Sequence, residues 1–530
     1  MLMRYFSLFI CCFLLIGCAK RGSITGGLKD TIAPVLIQSV PKNFSTDFKG
    51  NEIKLVFDEL IKLKDVNKQL IVSPPMKNAP QITPTGVSKF ITIKIKDTLQ
   101  PNTTYSFNFG QSIQDNNEGN PYQQFKYVFS TGSYIDSLSV LGTIKDAYSK
   151  KTDNFVSVML YEYDENFDDS IVYQKNPRYI TNTLDSIKAF SLENLKAGKY
   201  LLVALKDVNN NNKFDPKTDK IGFLNDPINV PENIIYNLQL FKEELPFKPS
   251  RASQGSGNKI YLGYEGKVKD IELKLTNNST ELPIKVTPLA GKDSIQIWYP
   301  KQKADSLKLW IKTDKLEKNF NVKLKDMYAD SLSFSLVQSG ILHFRDTLAV
   351  RSSTPLSTFD YSKVTIINKD SIPVQYQSLY DEKKQQVNFV FKKEPMESYQ
   401  LSALPGAFTD MFEKTNDSLI YRLSTRNVSE YGNLRVNLKG VKSYPIIVEL
   451  TNDAGKVLET TYVIEPKTID FEHVQPALFT VRIIYDENKN GVWDAGNYLE
   501  KRQSEEVLYI KNPVDVRANW DVEETINLGE

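Results

Sequence analysis

The sequence predicts an all-β protein made of tandem β-sandwich modules. Helical periodicity is nearly absent, and short runs alternating apolar with polar residues recur between Gly, Pro, Asn and Asp. The 27 Tyr and 28 Phe suit half-buried pleated surfaces. In IKLVF, Ile53, Leu55 and Phe57 fall on one face, and in YSFNF so do Tyr105, Phe107 and Phe109. At roughly 100 to 200 residues per domain, the chain holds about three to five domains. Its 66 basic and 64 acidic residues leave a net charge of +2 with no basic run, which argues against a nucleic-acid partner.

Residues 1–17 read as a secretory signal: Arg4, then an apolar run from Tyr5 to Ile16, too short and wrongly flanked for a spanning helix. The ending Leu15-Ile16-Gly17-Cys18 resembles a bacterial lipobox. That resemblance implies a lipoprotein signal peptide, with Cys18 acylated as the mature N-terminus and attached to the membrane by its lipid. Cys11 and Cys12 leave with the signal, so no disulfide and no thiolate metal site are expected. Residues 18–30, with Gly22, Gly26 and Gly27, form a flexible tether. Cys18 is not followed by the Asp that resembles an inner-membrane retention signal, nor by an acidic surface-export cluster. The expected location is the outer membrane, at its periplasmic face first and the cell surface second.

Residues 31–132 contain APVLIQSVPKN, IKLVFDEL, LQPNTTYSFNF, IQDNNEGN and YVFST in that order. The series resembles the bacterial Ig-like domain of surface-layer and envelope proteins. It returns in residues 343–428: Pro395 precedes Tyr399 by four residues as Pro101 precedes Tyr105, and VNFVF alternates at Val387, Phe389 and Phe391. Residues 138–243 and 430–530 each place an aromatic, Tyr200 or Phe479, seven residues before an Asp/Asn loop. They resemble the transthyretin-like fold of carboxypeptidase regulatory domains and collagen-adhesin repeats, which implies sandwiches with no catalytic role. Between the two pairs, SRASQGSGNK at 250–259 reads as a linker, and 258–342 as a further β-sandwich without a family mark. The whole resembles an Ig-like-domain lipoprotein family of the Bacteroidetes, and the tandem modules are expected to form a tethered rod.

Two strings carry the densest chemistry, DVNNNNKFDPKTD from Asp207 and DENKNGVWDAGN from Asp486. A shift of 279 maps Asn209 to Asn488, Asn211 to Asn490, Phe214 to Trp493 and Asp215 to Asp494. Oxygens at positions 1, 3, 5 and 9, with a backbone carbonyl at position 7 (Lys213 or Val492), have the spacing of a calcium loop. Position 6 is Asn212 or Gly491, residue types that accept a left-handed turn. Position 12 departs from the pattern, being Thr218 or Asn497 where a bidentate Glu belongs, which leaves Asp219 or Glu500 as the nearby charge. The alternative is a hairpin turn in which Asn and Asp bond their own backbone without an ion. Both readings stay open, and both are structural.

Asp, then Ser or Thr, then an aliphatic residue occurs eleven times, with hydroxyls at Thr31, Thr98, Ser137, Ser170, Ser186, Ser294, Ser306, Ser331, Thr347, Ser371 and Ser418. The pattern resembles the O-glycosylation motif of Bacteroidetes periplasmic proteins, and it equally suits a turn before a strand. Catalytic signals are poor: His343 and His473 are the only histidines and sit in apolar contexts, and no phosphate loop, zinc pair or nucleophile elbow occurs. The expected function is a non-enzymatic, lipid-anchored structural or binding scaffold whose partner is another envelope protein, a glycan or the cell wall. An accessory subunit of an outer-membrane secretion or assembly machine, and a carbohydrate-active enzyme with its site in 258–342, are the alternatives.

Overall fold

The computed structural model describes residues 29–183, 188–268 and 271–529. Its sheets enclose five buried apolar clusters in chain order, each cluster filled from two facing sheets (with a short two-stranded sheet, Leu356–Phe359 and Phe408–Asp410, added in the fourth), and this makes the molecule a tandem array of β-sandwiches. Among the described residues no helix is long and apolar enough to cross a membrane.

In the first sandwich, Glu52–Leu63 lies between Leu36–Val40 and Ser88–Lys94, and Gln81–Thr83 closes that sheet. The facing sheet is Ile71–Ser73, Thr104–Asn108 and Lys126–Ser130. Alternation works as expected: Ile53, Leu55 and Phe57 are buried against Phe107 and Phe129, while Lys54 stays outside. The fourth sandwich repeats this order. Phe334–Leu336, Leu348–Ser352, Gln386–Val390 and Gln377–Asp381 face Val364–Ile367, Ser398–Ala403 and Leu419–Ser424. Where the first sandwich has one long strand, the fourth has two, Leu348–Ser352 and Leu356–Phe359. Pro355, which has no N–H to give to a ladder, stands at the break. Phe334–Leu336 pairs with Leu348–Ser352, so this sheet begins ahead of residue 343.

The second and fifth sandwiches also share one topology. Leu138–Asp146 runs between antiparallel Ala189–Leu195 and parallel Ile235–Leu240, as Gly432–Lys439 runs between antiparallel Ile469–Val474 and parallel Asp521–Asn527. Opposite lie Tyr179–Asn182, Ser157–Glu162, Gly198–Lys206 and Lys220–Phe223, matched by Val457–Val463, Ile446–Thr451, Ala477–Tyr485 and Val507–Tyr509. The duplication read from motifs is thus a duplication of topology.

The segment expected as a linker is instead a strand, Lys248–Ser256, paired with Lys259–Glu265 at the edge of the third sandwich. Its glycines permit close approach and not flexibility. A Cβ on Gly255 would meet the Tyr261 ring at 2.5 Å, and one on Gly257 would meet the Met327 carbonyl at 2.5 Å.

Nor does the chain extend as a rod. Ala495 and Tyr498 of the fifth sandwich enter a buried cluster made mainly by Met159, Tyr161, Leu201, Val203 and Phe223 of the second. The Tyr498 amide donates to Glu243 Oε1 at 2.6 Å, and Gln503 Nε2 donates to the Phe223 carbonyl at 3.1 Å. Lys501 pairs with Asp169 across the same junction. The fifth module therefore folds back onto the second.

Candidate functional site: the Asp/Asn loops and the junction beside them

Each loop leaves the end of a central strand, Gly198–Lys206 or Ala477–Tyr485, and its first Asp is buried there. Asp207 Oδ2 accepts the Asn212 amide at 2.7 Å, and Asp486 Oδ2 accepts the Gly491 amide at 2.8 Å. Positive φ at Asn210 and Asn212, and at Lys489 and Gly491, coils the backbone around the carboxylate. The side-chain oxygens expected to face an ion bond the loop itself. Asn211 Oδ1 accepts from the Lys213 amide and Asp215 Oδ1 from the Lys217 amide. In the second copy, Asn490 Oδ1 accepts from the Val492 amide, while the Asn488 and Asn490 amide groups donate to Asp494 Oδ2 at 2.7 and 2.6 Å. Among the described residues no group of three or more His, Cys, Asp or Glu is arranged to share a metal ion.

Asp219 is fully buried and closes the first loop, accepting from the Val208 amide at 3.0 Å and the Asp215 amide at 2.8 Å. The equivalent group in the second loop is Glu505, which accepts from the Glu487 and Asp494 amides at 2.8 and 3.0 Å. Glu500, the expected substitute, pairs with Arg502 instead. The constant offset concealed Glu505, because it maps Asp219 onto Tyr498. An excursion closed by Asn497 and Arg502, whose backbone groups bond each other at 2.8 and 3.0 Å, delays the carboxylate and carries Tyr498 into the second sandwich. Burial, then the charges of Asp494 and Asp486, push the Glu505 carboxyl above its usual range.

The aromatic at position 8 is a junction residue in both copies. Phe214 is buried and packs on Tyr173 at 5.5 Å between ring centres. Trp493 packs on Tyr148 of the second sandwich at 4.7 Å and donates Nε1 to the Glu505 carbonyl. Beside it Arg482, 1% exposed, bonds Glu449 at 2.5 Å and donates Nη2 to the Tyr148 hydroxyl at 2.7 Å. Its guanidinium lies 4.1 Å from the centre of the Tyr148 ring. Burial opposes the Arg482 charge, but the Tyr509 hydroxyl and Glu449 outweigh it and raise the pKa. Sequence reasoning missed Arg482, Glu449 and Tyr148; an Arg inside the apolar string FTVRIIYD was the only available signal.

Cys18 and Ser186 lie outside the described residues. Of the other acceptor candidates, Thr31, Thr98, Ser137, Ser331, Ser371 and Ser418 are exposed, and Ser170, Ser294, Ser306 and Thr347 are half-buried. Ser137, Thr347 and Ser418 immediately precede a strand, and Ser294 and Ser306 open one. His343 and His473 come from different sandwiches yet meet in one aromatic cluster: His343 packs on Tyr431 at 4.7 Å and His473 on Phe344 at 4.8 Å. Burial holds His343 below the usual imidazole range.

These features define an all-β protein of tandem sandwiches, with its conspicuous polar loops used at turns and junctions. Residues 30–131 match the family described as bacterial Ig-like domain. No curated protein matches the chain. Among solved structures it is similar to domains 1–6 of surface layer protein SbsC, with 10% identity over 91% of this chain and 67% of that one, at a TM-score of 0.14. It is also similar to the BSP domain of a biofilm associated protein, with 9% identity, coverages of 77% and 99% and a TM-score of 0.14. The titin fragment I67–I69 gives 11% identity, coverages of 53% and 97% and a TM-score of 0.12. Likeness at this level assigns no role.

Proposed function

We propose that the protein is a non-catalytic scaffold of the bacterial envelope, anchored by lipid at Cys18 and holding a partner protein or glycan on a closed frame of sandwiches. The observation that carries this reading is the fastening of the second module to the fifth through Arg482, Tyr148 and the Tyr498–Glu243 bond. A frame closed in this way holds its surfaces at fixed spacing, which a positioning role requires and a flexible adhesive stalk does not. The bacterial Ig-like match at residues 30–131 supports a structural role. The filled core of the third sandwich, built on Ile260, Leu262, Ile297, Tyr299 and Leu309, speaks against an active-site cleft there. The second and fifth modules share one topology and are therefore copies of one module, which we read as transthyretin-like.

A native pull-down from solubilised outer membranes, with protease accessibility of intact cells, tests role and location together. One stoichiometric protein partner supports a place in an assembly machine, and glycan retention supports an adhesive scaffold. Release of a soluble product on cleavage of a chromogenic glycoside would sink the non-catalytic reading. For the loops, the internal hydrogen bonds favour turns held without an ion. A rise in melting temperature with millimolar calcium, abolished in both Asp207→Asn and Asp486→Asn, would restore calcium as a structural cofactor. The six exposed acceptors are the proposed O-glycosylation sites, checked by intact-mass measurement before and after chemical deglycosylation.

A further inference from the structure

We infer that the joint between the fourth and fifth sandwiches is an acid-sensitive latch, closed around His343 as a neutral ring and opened when that ring becomes an imidazolium. The chain has only two histidines, and they meet here. His343 lies on the loop ahead of Leu348–Ser352 in the fourth sandwich, and His473 near the end of Ile469–Val474 in the fifth. Two rings fill the space around them: Phe344, 4.8 Å from His473, and the buried Tyr431, 4.7 Å from His343. Both nitrogens of His343 are committed. Nδ1 accepts the Arg345 amide at 3.2 Å, so the proton of the neutral ring sits on Nε2. The main chain of His473 hydrogen-bonds the ring from the fifth sandwich. A proton added to Nδ1 aims N–H at N–H, and a ring that turns to escape this clash gives up its contact with His473. The loop has little freedom to follow, because the Phe344 carbonyl accepts from Lys393 Nζ at 3.0 Å and the His343 carbonyl from the Asp346 amide at 3.0 Å. His473 is equally fixed, at φ +54° with its amide donating to Asn433 Oδ1 at 2.9 Å.

The charges around the ring do not rescue the cation. On its own loop Arg345 opposes it, and the exposed Asp346 favours it. The fourth sandwich adds Lys393, a further cation. Arg426 and Glu430, flanking Tyr431, pair with each other at 3.4 Å. From the fifth sandwich come His473, whose charge also opposes a His343 cation, Glu459, which pairs with Arg345, and Glu472, whose charge acts on Arg345. Burial is the largest influence, and the balance holds the His343 ring below the usual imidazole range. The joint is therefore closed above about pH 6.5. Below that value each pH unit shifts the balance toward the open joint by up to about tenfold, until the pH passes the lowered value of the closed state. With no histidine elsewhere in the chain, a histidine titration acts on this joint alone.

The test uses the full chain with Cys11, Cys12 and Cys18 replaced by serine and spin labels at Lys383→Cys and Lys467→Cys, exposed positions on the fourth and fifth sandwiches. Double electron–electron resonance should give a narrow distance distribution at about pH 7.5 and a broader, longer one at about pH 5. His343→Asn keeps a side-chain oxygen for the Arg345 amide and does not titrate, so its distribution should stay narrow at both. His473→Asn suits the positive φ and keeps the main-chain contact, so it should still open in acid. Isotope-labelled imidazole NMR resolves the two rings, and the distance change should follow the His343 resonance. An unchanged distribution in acid, the same broadening in His343→Asn, or a His343 resonance titrating at or above about pH 6.5 would overturn the latch.

Discussion

Replacing Arg482 by Met tests the closed frame at its most buried polar contact. The guanidinium is 1% exposed, bonds Glu449 at 2.5 Å and both Tyr148 and Tyr509 hydroxyls, and lies 4.1 Å from the Tyr148 ring centre. Arg482→Met leaves the Glu449 carboxylate buried alone, a loss of about 3–5 kcal/mol. Arg482→Met with Glu449→Met removes both charges and should recover most of that loss, since apolar replacement of a buried pair is often neutral. Tyr148 belongs to the other module, and Tyr148→Leu deletes one hydrogen bond to a charged group, about 1.5–3 kcal/mol, and a cation–π contact of up to about 2 kcal/mol. The two terms share one geometry, so their sum is an upper bound. A double-mutant cycle in urea should give a coupling between Arg482→Met and Tyr148→Leu of about 1–3 kcal/mol. Additivity within about 0.5 kcal/mol would mean that the residues do not touch and that the fifth module is not seated on the second.

Other consequences follow from neighbouring contacts. A Cβ on Gly496 would lie 2.4 Å from the Phe241 ring of the second sandwich, so Gly496→Val should cost about 1–3 kcal/mol in urea titration and open the frame, seen as an increased radius of gyration. Glu505→Ala strands two backbone amides, and a loss of about 2–4 kcal/mol is expected, whereas Glu500→Ala should stay within about 0.5 kcal/mol. His343 has a folded-state pKa held below its unfolded value by burial, with the Arg345 and His473 charges adding to the depression, while a backbone hydrogen bond with His473 and the Asp346 charge pull it upward. Its contribution is therefore complete above about pH 6.5 and is lost as pH falls through the lowered folded value, and His343→Gln should flatten that segment of the melting-temperature profile.

Much of the fold was legible because strand alternation is local. Ile53, Leu55 and Phe57 declare their buried face within five residues, and the recurrence of Pro and Tyr at fixed separation marked a repeated topology. Two kinds of information were not local. Gly255 and Gly257 read as a linker because a glycine required by an approaching ring or carbonyl looks the same in sequence as one required for flexibility. The junction was hidden for a related reason: Tyr498 and Arg482 sit in strings that promise an ordinary turn and strand, and only the return of the chain gives them partners more than 250 residues away. The Asp/Asn loops were legible as turns, but not their difference. Whether the first Asp has a hydroxyl above it depends on Tyr462, which sits on Val457–Val463, two strands across the sheet from Ala477–Tyr485.

Zero-length carbodiimide coupling of dilute native protein, followed by peptide mass spectrometry, tests the closed frame most directly, because Lys501 and Asp169 form an ion pair between modules that are not consecutive. The closed frame predicts an intramolecular Lys501–Asp169 cross-link whose yield is independent of protein concentration and is lost in Gly496→Val. Recovery only of links between consecutive sandwiches, such as Lys126–Glu193 and Lys285–Glu382, would contradict it.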